Sequence, residues 1–149
     1  MTKTQKRIRL WGRILFILYL LCALYVMFFS ESLDRELVSD TYRYNLTLFK
    51  EIKRFWNMRY TYGWNVTLIN LVGNVVCFLP FGFLLPTKSI FKNIITVTIW
   101  AMLLSFGIET AQLLTKVGAF DVDDIFLNTL GGCLGYIIFR LTKLHKHVM

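Results

Sequence analysis

Histidine, cysteine and acid are all scarce in this chain of 149 residues, and each scarcity removes a class of chemistry. The only two histidines, His145 and His147, lie at the C-terminal end, so no Ser–His or Cys–His pair is on offer for nucleophilic catalysis. The three cysteines, Cys22, Cys77 and Cys133, sit singly inside apolar runs. They form neither a disulfide framework nor a metal-ligand spacing and read as buried thiols. No glycine-rich loop of the phosphate-cradling kind is present. No inverted repeat or continuous polar path supports a transporter. Acids number 9 against 17 bases, for a formal net charge of +8.

What the chain has in abundance is apolar surface. Its hydrophobic fraction of 56% and mean hydropathy of +0.53 exceed the usual values for a soluble domain of this length. The apolar residues cluster into four stretches, roughly Leu10–Ser30, Val66–Pro86, Ile94–Thr115 and Ile125–Leu141. Each approaches or reaches the ~20 residues that a helix needs to cross hydrocarbon. The expected fold is an all-α integral membrane protein, a single membrane domain over residues 1–149 with four transmembrane helices. A basic start and the small-x-small sequence Ser30-Glu31-Ser32 raise the question of a cleaved signal. The first apolar run exceeds a usual signal core, so an uncleaved anchor is expected.

The basic residues set the orientation. Lys3, Lys6, Arg7, Arg9 and Arg13 open the chain, Lys88 and Lys92 separate the second and third stretches, and Arg140, Lys143 and Lys146 close it. No acid accompanies any of these clusters. Positive-inside logic places both termini in the cytoplasm and the long segment Glu31–Asn65 outside. The clusters hold topology and touch anionic headgroups, so nucleic acid is not an expected partner. Within the outer segment, "YRYNLTLFKEIKRFWNMRY" interleaves aromatics with cations and reads as an amphipathic helix lying on the outer leaflet.

Polar residues inside the spans fall in one depth layer. Asn70 and Asn74 share a helix face about 6 and 12 Å below the outer boundary. Ser105, Glu109, Gln112 and Lys116 follow at spacings that keep one face, with Glu109 roughly 9 Å and Gln112 roughly 5 Å deep. Asn128 lies about 5 Å down the fourth span. Pro80 removes the partner of the Val76 carbonyl, and Gly131-x-x-x-Gly135 permits close helix approach. The asparagines are therefore expected to face Glu109, Gln112 and Asn128 in a shared site. An acid inside a membrane is costly, which makes Glu109 the strongest functional candidate. Ahead of the fourth span, one carboxylate of Asp121-Val122-Asp123-Asp124 should cap the helix. The surplus would hold a divalent cation or pair with Arg43, Arg54 or Arg59.

Taken in order, these residues resemble the VanZ-like family. The resemblance rests on Asn70-x-x-x-Asn74 with Phe78, Pro80 and Gly82, then Glu109-x-x-Gln112, then Asp121-x-x-Asp124-x-x-x-Asn128 with Gly131 and Gly132. The outer element "RYNLTLF" adds Arg43, Asn45 and Phe49, and the likeness covers about residues 43–136. Two positions depart from the pattern: Leu48 stands where the family usually has proline, and Lys116-Val117-Gly118 replaces a Gly-Arg that often follows the glutamine. The resemblance implies a small multi-pass protein of the bacterial plasma membrane, associated with resistance to the lipid-tailed glycopeptide teicoplanin.

Two functions then compete. In the preferred one the polar layer (Asn70, Asn74, Glu109, Gln112, Asp121, Asp124 and Asn128, with Arg43 and Asn45 from the outer loop) binds without catalysis. Its ligand is a membrane lipid, a lipid-linked wall precursor or the membrane-anchored antibiotic, and no cofactor is needed. The alternative is an integral membrane hydrolase or transferase acting on a lipid phosphate. Glu109 and Asp124 would then be catalytic, with Asp121, Asp123 and Asp124 holding Mg²⁺.

Overall fold

The computed structural model describes residues 2–29, 41–88, 92–142, 144 and 146. Among the described residues, four helices are long and apolar enough to cross a membrane. These are α1 (Lys3–Phe29), α4 (Trp64–Leu84), α5 (Ile94–Thr115) and α6 (Val122–Leu141). Between α1 and α4 lie strand β1 (Arg43–Asn45) and short helices α2 (Lys50–Asn57) and α3 (Arg59–Tyr62); β2 (Ala119–Asp121) joins α5 to α6. The third span has the bounds read from sequence. Helix α1 starts earlier because its basic residues continue the helix ahead of the apolar run. Helix α6 also starts earlier, because Asp123 and Asp124 favour the positive end of its dipole.

Two expectations need correction here. The fold is not wholly helical, since β1 and β2 form a parallel pair with Asn45 opposite Asp121. The outer segment is also not one continuous amphipathic helix: a strand, a turn and two short helices replace it, and residues 30–40 lie outside the described residues.

Helices α4 and α6 form the tightest interface, and glycine makes it possible. A Cβ added at Gly131 would stand 2.2 Å from the Val75 carbonyl oxygen, and one at Gly135 2.1 Å from that of Leu79. From the other side, a Cβ at Gly82 would stand 1.8 Å from the Gly132 oxygen. The two backbones therefore touch, which is how membrane helices gain packing energy without a hydrophobic driving force. Pro80 lies in α4 between these contacts, and the helix continues past it to Leu84. Around the interface, Phe78, Phe81, Val97, Ala101, Ile108 and Tyr136 form the buried core with Phe16 and Met27 of α1.

Helix α1 packs on α4, where the Tyr19 hydroxyl donates to the Cys77 carbonyl at 2.9 Å. Helix α5 begins at Asn93, whose side chain accepts from the Thr96 N–H at 2.7 Å. The Tyr136 hydroxyl of α6 reaches the Lys92 carbonyl at 2.7 Å, fixing this end of the bundle. Much of the remaining helix surface is large and apolar, including Leu10, Leu18, Leu21, Ile69, Val72, Ile95, Leu103 and Phe106. Such a belt suits lipid.

Candidate functional site

The polar residues gather where the loop after α1 meets the start of α6. Asp121 ends β2 and caps α6, its Oδ1 accepting from the Asp123 N–H at 2.8 Å. Its strand partner Asn45 donates Nδ2 to the same oxygen at 2.9 Å. The Asn45 Oδ1 in turn accepts from the Thr47 N–H at 3.1 Å, turning the chain toward α2. Behind this pair, the Asp121 N–H donates to Glu109 Oε2 at 3.0 Å. Glu109 is 1% exposed, and here it anchors the strand that carries Asp121.

Asp123 has a different task. Helix α2 starts after Phe49, which has φ 65° and offers no side-chain cap. The buried Asp123 carboxylate supplies one from a distance. It accepts from the N–H groups of Phe49, Glu51 (2.8 Å) and Ile52 (3.2 Å). An anion at a helix N-terminus satisfies both the orphan donors and the dipole. Phe49 packs edge-on against Phe126 of α6, with ring centroids 5.4 Å apart, so the joint is apolar as well as ionic.

The remaining candidates take separate partners. Asn74 donates to Asp124 Oδ1 at 2.5 Å, joining α4 to α6. Gln112 donates to the Met27 carbonyl at 2.8 Å, tying α5 to the C-terminal end of α1. Asn128 donates to Ser105 Oγ at 2.9 Å, and its own Oδ1 is buried with no partner among the described residues. Asn70 bonds the Val66 carbonyl of its own helix at 2.9 Å. The expected convergence of the asparagines on Glu109, Gln112 and Asn128 is thus corrected: the layer divides into local pairs. The physical reason is that each amide finds its own acceptor, a backbone carbonyl for Asn70 and Gln112 and a side-chain oxygen for Asn74 and Asn128.

Two of the three arginines, Arg54 and Arg59, take partners other than the carboxylates ahead of α6. Arg54 pairs with Glu51 at 2.7 Å. The Arg59 guanidinium lies over Tyr60, Trp56 and Trp64 at 4.5, 5.0 and 5.7 Å from the ring centroids. Among the described residues no three His, Cys, Asp or Glu side chains are placed to hold a metal ion, and the Asp123 carboxylate is engaged by the N–H groups of α2.

Between α2, β1 and the starts of α4 and α6 lies a cavity of about 520 Å³. Arg43, Lys50 and Arg54 line it together with Glu51, Asp121, Asp123 and Asp124, and Asn45 and Asn70 add amides. Val66, Leu71 and Leu127 add apolar groups to the lining. Burial pushes the Asp121 pKa up; the Asp123 N–H and the Asn45 amide pull it down, and the charges of Asp123 and Glu51 push it up again. Asn74, Glu109, Gln112 and Asn128 do not line the cavity and act from behind it. Lys50 was not singled out by sequence. The one available signal was a helix start, "TLFKEI", with no capping side chain at Phe49 and a surplus acid elsewhere in the chain.

The family model for VanZ/LLP1 matches residues 16–143. The chain belongs to the VanZ/LLP1 family. Its matched region contains the whole polar cluster and all of the cavity lining. Protein VanZ of Enterococcus faecium is 34% identical over 79 residues, which cover 52% of this chain and 48% of that protein. The chain therefore matches about half the length of this VanZ relative. No solved structure matches the chain.

Proposed function

We propose that this protein resides in the bacterial plasma membrane and binds a lipid-linked or lipid-tailed ligand at the cavity between α2, β1, α4 and α6. Through that binding it lowers susceptibility to teicoplanin-type glycopeptides. The observation that carries the reading is a cavity of about 520 Å³ whose lining combines charged and amide groups with Val66, Leu71 and Leu127. A polar head and an apolar tail would each find matching groups there. Tyr62 and Phe55 pack beside the cavity, and Trp56, Tyr60 and Trp64 cluster in the same short helices and the start of α4, a composition suited to the headgroup layer. Family membership supports the resistance association.

The orientation belongs to the same proposal: both termini inside and the cavity outside, as the basic clusters argue. Cysteine labelling tests it in a background lacking Cys22, Cys77 and Cys133. Thr61→Cys is expected to react with a membrane-impermeant maleimide in intact cells, and Leu144→Cys only after permeabilisation. The reverse pattern would put the cavity in the cytoplasm and end the proposal.

Resistance tests the function. Expression in a susceptible Gram-positive host should raise the inhibitory concentration of teicoplanin severalfold, more than that of vancomycin, which has no lipid tail. Asn70→Leu and Asp124→Asn should remove most of that gain at unchanged protein level. Equal protection against both drugs would refute a site that selects for a tail.

A further inference from the structure

The cavity has a charge pattern that selects among headgroups. Its lining carries three basic and four acidic side chains. Most are already engaged. Arg54 pairs with Glu51, Asp123 is held by the N–H groups of α2, and Asp124 accepts from Asn74. Two groups of opposite sign are different. The Lys50 ammonium makes no hydrogen bond or ion pair among the described residues, and its side chain is exposed. Asp121 uses only Oδ1, for both the Asn45 amide and the Asp123 N–H; Oδ2 carries no hydrogen bond among the described residues.

An anionic headgroup alone would meet Lys50 but leave the acids facing it. A cation alone would satisfy Asp121 and oppose the bases. We infer that the cavity binds the zwitterionic headgroup of an amphiphile, with a primary ammonium on Asp121 Oδ2 and a phosphate on Lys50. The acyl chains leave along Val66, Leu71 and Leu127 toward the bilayer. Burial already makes an ionised Asp121 costly, and a ligand ammonium would offset that cost. Asn45 and the α6 cap fix the carboxylate before a ligand arrives, so little ordering remains for binding. This inference rests on the cavity reading above and adds the class of its ligand.

Native mass spectrometry of the full chain in detergent tests it, with phosphatidylethanolamine and phosphatidylglycerol of equal chain length as the two probes. The wild type is expected to bind phosphatidylethanolamine about tenfold more tightly, the size of one charge-assisted hydrogen bond. Asp121→Asn should abolish that preference, because the amide can still accept from Asn45 and Asp123 and so keeps the fold. Lys50→Gln should weaken both lipids. Free phosphoethanolamine should compete far more weakly than the lipid; equal competition would overturn a lipid source. Equal or tighter binding of phosphatidylglycerol by the wild type, or an unchanged ratio in Asp121→Asn with an unchanged melting temperature, would overturn the zwitterion. Teicoplanin susceptibility of the same variants separates the two claims. Lost resistance without lipid selectivity removes the zwitterion and keeps the cavity; selectivity without any change in resistance does the reverse.

Discussion

Asp123→Ala is expected to release the outer segment from the helices. The substitution strips three backbone N–H groups of their acceptor where Asp123 is only 1% exposed. Orphaned donors of this kind cost about 1–3 kcal/mol each when they stay buried, so α2 should detach and hydrate them instead. Asp123→Asn is no rescue, because one side of the amide would turn donors toward donors. The measurement is limited trypsin digestion of the purified protein. Cleavage at Lys50, Lys53 and Arg54 should accelerate at least about tenfold, as a local opening that loses a few kcal/mol of protection would allow. Spans α4 and α6 should remain intact. Unchanged cleavage would mean that Phe49 against Phe126 holds the loop without the carboxylate.

Gly82→Ala should cost still more. Its new Cβ would fall 1.8 Å from the Gly132 oxygen and 2.7 Å from the carbonyl carbon, and both are backbone atoms inside a helix. No side-chain rotation relieves such a contact, so the helices must separate along the whole Gly131–Gly135 contact. The loss is expected to exceed ~4 kcal/mol, enough to deplete the folded protein. Gly73→Ala on the same helix is the control, since nothing lies within 4 Å of its added Cβ. There the alanine should leave stability level or raise it by up to ~1 kcal/mol through helix propensity. Steady-state membrane levels and thermal melting in detergent distinguish the two. Equal behaviour of the pair would refute backbone contact between α4 and α6.

These two substitutions also mark what could be read from sequence and what could not. Gly131 and Gly135 announced a close helix contact through their spacing, and the apolar runs announced the four long helices. Each signal is local, carried by residues a turn or a span apart. A cap from one carboxylate of Asp121-Val122-Asp123-Asp124 was likewise legible, because the cap that forms, Asp121 on the Asp123 N–H, spans only two residues. Asp123 itself was not: its donors sit 71 to 74 residues away, and nothing local names them. The Asn74–Asp124 pair and the Gln112 bond to Met27 share this difficulty. Depth arithmetic placed Asn74, Glu109 and Asn128 in one layer, but a layer leaves rotation about each helix open. Rotation decided the partners.

The parallel pairing of Asn45 with Asp121 has a consequence for biosynthesis. A chain emerging residue by residue completes β1 long before β2 exists, with two whole membrane spans made in between. Throughout that interval the Asn45 amide and the N–H groups of Phe49, Glu51 and Ile52 lack their final acceptors, Asp121 and Asp123. Closing so long a loop is entropically slow compared with helix formation. The cavity cannot form before β2 and the start of α6 have been made, and a ribosome stalled before α6 leaves a chain without the pocket. Quality control that acts on exposed polar loops would have its longest opportunity at that stage, between the third span and the fourth.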